Sequence, residues 1–381
     1  MRDILDQIGK WWDAGETFGL ATVVQTFSSA PREPGAALAV CADGEVVGSV
    51  SGGCVEGAVY ELSGEVSASG QAVLQRYGVS DDTAFSVGLT CGGIIDIFVE
   101  PVSRDGYPQL GEIADAVRAE QPVAVATVIA GPGAVGARRV IWPADHHPAA
   151  TGTLASGDRL DQAVDDDARG MLAQGLTGVR RYGPDGERRR DELSVFVQSF
   201  APAPRMLVFG AIDFAAAVAR IGKFLGYRVT VCDARPIFAT RSRFPDADEV
   251  ITDWPHRYLV GVTTDDRTVI CVLTHDPKFD VPVLEVALRM PAAYIGAMGS
   301  RRTHADRLDR LREAGLSEEE LARLRSPVGL DLGARTPEET AVAIAAELIQ
   351  SRWGGSGQPL TQTDGRIHHD LAHQAAGPVT D

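Results

Sequence analysis

The chain repeats itself, and the repeat limits what it can fold into more than any single motif does. Ala21-Thr22-Val23-Val24 returns as Ala126-Thr127-Val128-Ile129, an offset of 105 residues. The same offset carries Ser51-Gly52 onto Ser156-Gly157, Ala58-Val59 onto Ala163-Val164, and Arg76-Tyr77-Gly78 onto Arg181-Tyr182-Gly183. A register held over that span means that one supersecondary unit is built twice. Ile97-Phe98-Val99 and Val195-Phe196-Val197 close the two copies as β-branched and aromatic strands, after a shorter segment in the second copy. The expectation is a domain over residues 1–200 made of two similar α+β halves, the second at about 121–200.

The halves are not chemically equivalent. In the first, an apolar strand expected over Val46 to Val50 leads through Ser51-Gly52-Gly53-Cys54 into a helix expected over Val55 to Leu62. In the second, Gly53 and Cys54 become Asp158 and Arg159. Leu89-Thr90-Cys91-Gly92-Gly93 precedes the first closing strand, where the second copy has Arg188 to Asp191. Loops needed for folding alone are expected in both copies. Ser51, Gly52, Gly53, Cys54, Cys91, Gly92 and Gly93 are therefore candidate site residues. The glycines would let a ligand approach bare backbone amides at a helix start. A thiol there is a candidate nucleophile or soft-metal ligand. The competing reading of Cys54 is a small core residue in a tight turn.

Composition narrows the setting. A formal charge of −16 argues against general nucleic-acid or anionic-membrane binding, while leaving room for a local basic pocket. Cysteines at positions 41, 54, 91, 232 and 271 form no Cys-x-x-Cys pair, which favours reduced thiols in a cytoplasm over disulfides and excludes zinc-type spacing. Met1 to Gly15 places Ile4, Leu5, Ile8, Trp11 and Trp12 at helical spacing and reads as an amphipathic helix rather than a secretion signal. No apolar run is long enough to cross a bilayer.

Ser199-Phe200-Ala201-Pro202-Ala203-Pro204 reads as a linker, and a second domain is expected over 205–353. Met206 to Phe209 is a buried strand, Gly210 a turn, Phe214 to Leu225 a helix, and Tyr227 to Cys232 the next strand, ending at Asp233. This is the layout of a Rossmann-like, doubly wound parallel sheet, with Asp233 in the place of the ribose-binding acid. The glycine fingerprint is broken: Gly210-Ala211-Ile212-Asp213-Phe214-Ala215 has Ile212 where the second glycine belongs. Tight NAD or NADP binding in the usual pose is thereby disfavoured. A strand over Val269 to Leu273 ends at Thr274-His275-Asp276, which makes His275 and Asp276 candidates for acid–base work, ligand or metal binding. Tyr294 to Gly299 leads to Ser300-Arg301-Arg302 at a helix start, so Gly299, Ser300, Arg301 and Arg302 form a candidate anion cradle. Thr336-Pro337-Glu338-Glu339 predicts a capped helix to Arg352, and Ser317 with Glu320 a second capping box. Residues 354–381 lack periodicity and read as a mobile tail, its His368, His369 and His373 too loosely set for a metal site.

These motifs resemble a known family. Ser28-Ser29-Ala30-Pro31-Arg32, Gly48 to Glu56 and Gly88 to Gly93 are similar to the N-terminal domain of the XdhC/CoxI family. Thr274-His275-Asp276, Tyr294 to Arg302 and Ser326 to Glu339 are similar to its Rossmann domain. The resemblance implies a maturation protein that binds the molybdenum cofactor (molybdopterin) as cargo, assists replacement of an oxo ligand by sulfur, and delivers it to a xanthine dehydrogenase-type client. It also implies a cysteine desulfurase as partner, and the edge strands of the repeated domain are expected to support a homodimer. On that reading Cys54 and Cys91 contact metal or sulfur, Arg301 and Arg302 contact phosphate, and the cofactor is sheltered in a cleft at the domain junction. Relatives usually carry Gly-Ala-Gly-His where this chain has Gly210-Ala211-Ile212-Asp213, which puts the family's nucleotide site in question here. Two other functions stay open: an NAD(P)-dependent oxidoreductase using Asp233 and His275, and a docking scaffold that binds no small molecule.

Overall fold

In the computed structural model of the protein, which describes residues 1–27, 32–78, 93–188, 190–274 and 276–364, the chain divides into two compact units, Met1–Pro202 and Ala203–Asp381. Cys91, Gly92, His275, the histidines of the tail, and parts of the Ser28 and Gly88 motifs lie outside the described residues.

The first unit contains the same sheet twice. Strands β1 (Phe18–Phe27), β2 (Ala37–Cys41), β3 (Val46–Gly48), β4 (Val73–Tyr77) and β5 (Ile94–Val102) form a sheet of order β3-β2-β1-β5-β4. Strands β6 (Val123–Ala130), β7 (Arg138–Ile141), β8 (Ala150–Thr153), β9 (Gly178–Tyr182) and β10 (Leu193–Phe200) repeat that order as β8-β7-β6-β10-β9. Register repeats as well: Ala21 stands opposite Val99, and its counterpart Ala126 opposite Val197.

Each sheet carries one helix at the position the repeat predicts. Helix α1 (Leu5–Asp13) precedes β1; α2 (Glu56–Ser69) covers the first sheet, α3 (Leu110–Arg118) joins the halves, and α4 (Asp158–Gln174) covers the second sheet. Val59 and Val66 of α2 bury against Ala21, Val23, Ile97 and Val99, each contributing about 1.5–3 kcal/mol. Leu160, Val164 and Ala168 of α4 do the same against Ala126, Val128, Val195 and Val197. The opposite faces meet through Val24 and Phe98 on one sheet and Ile129 and Phe196 on the other. Alternation along β1 and β6, up to the irregularities at Val24 and Ile129, sends one residue set to the helix and the next to the seam.

β3 is shorter than the Val46-to-Val50 strand expected from the sequence. Gly48 has φ +86°, and a Cβ there would stand 2.2 Å from the Ala37 carbonyl oxygen, so the strand turns away before Val50. Helix α2 runs further than Leu62, to a left-handed Gly70 cap.

The second unit is a parallel sheet of β11 (Arg205–Phe209), β12 (Arg228–Asp233), β13 (Glu249–Thr252), β14 (Val269–Val272), β15 (Tyr294–Ala297) and β16 (Leu324–Arg325), in the order β13-β12-β11-β14-β15-β16. Counted within the unit this is 3-2-1-4-5-6, the order of a Rossmann sheet. Helices α5 (Asp213–Phe224) and α10 (Pro337–Trp353) share one face with Met206, Val208 and Val229. On the other face, α6 (Pro255–Val260), α7 (Pro277–Ala287), α8 (Arg301–Glu313) and α9 (Glu318–Ala322) bury Leu207, Phe209 and Ile270. Burial on both faces explains the unbroken apolar runs in β11 and β14. Both expected capping boxes are formed, at Ser317/Glu320 and Thr336/Glu339.

Candidate functional site

The Ser49-to-Glu56 turn is built from the side chain of its last residue backward. Glu56, the first residue of α2, folds its carboxylate over the turn. Oε1 accepts from Ser49 Oγ at 2.7 Å and from the Ser51 amide at 2.9 Å; Oε2 accepts from Ser51 Oγ and from the Gly53 amide at 2.8 Å. Ser51 Oγ accepts in turn from the Cys54 and Val55 amides, both at 3.0 Å, and Ser49 Oγ accepts from the Gly52 amide at 3.0 Å. Burial by itself pushes the Glu56 carboxyl up; the donors from Ser51 and Ser49 outweigh it and bring its pKa down to about 2.

This corrects the expectation of bare amides. The amides of Ser51, Gly52, Gly53, Cys54 and Val55 all have acceptors inside the turn, so none is left waiting for a ligand anion. The glycines serve conformation: Gly52 and Gly53 have φ +74° and +119°, and among the described residues a Cβ on either would meet nothing within 4 Å. Both glycines are exposed on one side of the turn. Cys54 sits there half-buried, packed against the core under α2. Gly93 is buried immediately before β5, and its neighbours Cys91 and Gly92 lie outside the described residues.

The second half shows what the turn becomes without this chemistry. Asp161, at the position of Glu56, reaches one backbone amide, that of Leu154, at 3.0 Å. Its charge is met by Arg139, which lies 3.3 Å from Asp161 and forks onto Asp165 at 2.6 and 2.9 Å. Arg139 has no counterpart in the first half, where Leu38 occupies its place in the ladder. Among the described residues no lysine, arginine or histidine forms an ion pair with Glu56.

In the second unit, the residues chosen from the sequence gather at the C-terminal edge of the parallel sheet, yet several are already employed. Gly210 has φ +111°, and a Cβ there would stand 2.7 Å from Thr274 Cγ2, so packing of the β11 turn against the end of β14 demands glycine. The buried carboxylate of Asp233 accepts from the Ala211 amide at 2.7 Å and is forked by Arg235 at 2.9 and 2.8 Å. Burial opposes its ionisation; the Arg235 guanidinium and the amides of Ala211 and Arg235 outweigh it and hold the carboxyl below its usual range. Asp233 thus ties two strand ends together, and its oxygens are committed where a ribose-binding acid needs them free. Ile212 stands as the N-cap residue of α5 with no side-chain cap, and exposed Asp213 pairs with Arg243 at 3.2 Å in front of the helix.

Asp276 caps α7 by accepting from the Lys278 amide at 3.2 Å, and its other oxygen pairs with Lys278 Nζ at 3.0 Å. His275 lies outside the described residues. Gly299 precedes Ser300, which caps α8 by accepting from the Thr303 amide at 3.1 Å; Arg301 and Arg302 then project into solvent. The structure thus brings Gly299, Ser300, Arg301 and Arg302 together at one helix start.

The sequence reading missed two charges beneath that helix. Asp280 and Arg307, with side chains 3% and 2% exposed, form a pair at 2.8 Å. Asp280 also accepts from Thr274 Oγ1, while Arg307 donates to the Met298 carbonyl at 2.8 Å and to Ser326 Oγ at 3.1 Å. This buried network joins the ends of β14 and β15 to the Ser326 loop. Arg307 is hidden in sequence among the charged residues of α8; Asp280 had a faint signal as an acid between buried Phe279 and Val283. Among the described residues, no group of three or more histidines, cysteines and acids is placed to hold a metal, and no helix is long and apolar enough to cross a membrane.

Comparison with known proteins follows the same division. A profile described as the XdhC and CoxI family matches residues 11–78 and again 116–183, and one described as the XdhC Rossmann domain matches 206–348. The two N-terminal matches fall on the two sheets. A Bacillus subtilis protein named as a probable subunit of xanthine dehydrogenase is 28% identical over 335 residues, covering 87% of this chain and 92% of that protein. The Escherichia coli molybdenum cofactor insertion chaperone PaoD is 28% identical over 339 residues, covering 89% of this chain and 85% of PaoD. A crystal structure of a Bacillus halodurans protein described as a xanthine dehydrogenase aligns with a TM-score of 0.65 at 25% identity, over 94% of this chain and 97% of that one. The chain belongs to the XdhC and CoxI family.

Proposed function

We propose that this protein binds the molybdenum cofactor and delivers it to a xanthine dehydrogenase-type enzyme. The observation that carries the reading is the open-sided Cys54 turn, a rigid glycine turn presenting a half-buried thiol, kept in one copy of a repeated fold and lost from the other. A soft thiolate suits molybdenum. The shared ancestry with a chaperone named for cofactor insertion supports the same assignment. Cys91 is the second thiol of the proposal, and Arg301 and Arg302 are its phosphate contacts. If an oxo ligand is exchanged for sulfide from a hydrosulfide-level donor, hydroxide leaves and the oxidation state of molybdenum is unchanged. A cysteine desulfurase as sulfur source, whose persulfide releases hydrosulfide when a second thiol attacks it and forms a disulfide, and a second copy of the chain belong to the same reading.

The test is anaerobic incubation of purified protein with molybdopterin, gel filtration, and quantitation of retained pterin and molybdenum. Stoichiometric retention that falls at least tenfold in Cys54→Ala or Cys91→Ala supports the proposal. No retention by the unaltered protein overturns it. An NAD(P)-dependent activity finds no support in the committed oxygens of Asp233.

A further inference from the structure

Glu56 belongs to the turn yet touches no part of the protein that needs a charge. Its four donors are neutral hydroxyls and amides, and no cation pairs with it among the described residues. Hydroxyls alone would close such a turn, as caps do elsewhere. The equivalent acid in the second half, Asp161, is neutralised by Arg139. A carboxylate kept uncompensated beside an open, thiol-bearing turn therefore has a consequence for whatever approaches.

We propose that Glu56 is a positioning and specificity residue: it locks the turn that presents Cys54 and sets a standing negative charge there, so the turn admits a neutral or electron-poor group and repels an anion. This rests on the cofactor-binding reading and deepens it. A cofactor with an electrophilic metal at one end and a phosphate at the other would be admitted metal end first. The phosphate would be turned away from the Gly52-Gly53 amides, which are already occupied.

The sign of the charge is measurable without any cofactor. In a Cys91→Ser background, the rate of Cys54 alkylation is followed by peptide mapping with neutral iodoacetamide and anionic iodoacetate, at constant pH and low salt. Two unit charges about 4 Å apart in a water-like dielectric correspond to about a fivefold rate effect. The iodoacetate-to-iodoacetamide ratio should rise about fivefold in Glu56→Gln. It should stay at the starting value in Glu56→Asp, which keeps the charge and loses the reach, while both absolute rates increase. A purely structural role changes both rates together and leaves the ratio of Glu56→Gln unaltered, and that result overturns the proposal. If Glu56→Gln does not fold, salt carries the test in the unaltered turn: raising ionic strength from about 0.01 M to about 1 M, which shortens the screening length from about 30 Å to about 3 Å, should raise the ratio relative to that of a small-molecule thiol. A ratio that does not respond to salt overturns the proposal. Failure of molybdopterin to bind would remove the functional reading and leave these ratios untouched.

Discussion

The two halves of the N-terminal unit share strand order, register and helix placement, and differ in how they close the turn into the covering helix. In the first, Glu56 spans the turn to the Ser49 and Ser51 hydroxyls and the Ser51 and Gly53 amides, and among the described residues forms no ion pair. In the second, the shorter Asp161 reaches a single amide and gives its charge to Arg139. The seam between the sheets is asymmetric in the opposite sense. Glu100 on β5 is paired with Arg138 on β7 under the ring of Tyr107, whereas Gln198, at the equivalent position of β10, is neutral and donates to the Gly35 carbonyl at 3.1 Å. A duplicated fold can keep its apolar core and trade its buried charges independently, because the core depends on shape and the charges on specific partners.

That contrast can be broken most forcefully at the seam. Arg138→Ala leaves Glu100 buried without its partner, both side chains being 8% exposed, and should cost about 3–5 kcal/mol in urea unfolding. Adding Glu100→Gln, which copies the neutral second half, should recover most of that loss. A double variant as unstable as the single would show that the pair is not the source of the effect.

The ionic turn of the second half ranks next. Arg139→Met removes the cation that Asp161 and Asp165 share, leaving Asp165 to Arg169 at 3.6 Å, and should destabilise by about 2–3 kcal/mol, again by urea unfolding. Leu38→Arg in the first half should not create a compensating gain in stability, because Leu38 is buried in the apolar core under α2.

Glu56→Ala removes the acceptor of four donors and should cost about 1–3 kcal/mol. The pH dependence has a definite sign. The folded pKa of Glu56 lies below its ordinary value, so its stabilisation is complete above about pH 4.5 and is lost as pH falls toward about 2. Comparing acid unfolding of the unaltered protein with Glu56→Gln should therefore show the two curves converging at low pH. A difference that grows on acidification contradicts the assignment.

The smallest effect separates the two serines of the repeat. Ser51→Ala frees two amides at the start of α2 and should cost about 1 kcal/mol by thermal or urea unfolding. Ser156→Ala should stay within about 0.5 kcal/mol, since the second turn is held by Asp161. Equal losses would erase the distinction between the turns.

Much of the architecture was legible in the chain. Residues recurring at a constant offset gave the two similar halves, and the βαβ pattern from Met206 to Asp233 gave the parallel sheet. Capping residues at Ser317 and Thr336 placed helix starts to the residue, because the cap interaction is local. The same locality drew attention to Ser51-Gly52-Gly53-Cys54. It also misled about the amides, for a spacing of five residues between Ser51 and Glu56 carries no sign that one carboxylate, with the two serine hydroxyls it holds, will occupy the amides of the turn. Asp233 sat where a ribose-binding acid belongs, and only its approach to Arg235 and Ala211 shows that its oxygens are committed.

Periodicity, turn chemistry and the self-comparison of the chain determined its duplicated N-terminal sheets, its Rossmann-type second unit and the inequality of the two copies, since each depends on residues near in sequence or on a pattern repeated along it. Tertiary structure decided which charges are paired with an opposite charge and which rest on neutral donors. Glu100 with Arg138, Asp280 with Arg307, and Arg139 with its two acids are contacts between residues 22 to 38 positions apart, and their energy depends on burial that no linear pattern states. The charge of Glu56 is the complement of those pairings: among the described residues its carboxylate rests on hydroxyls and amides and forms no ion pair.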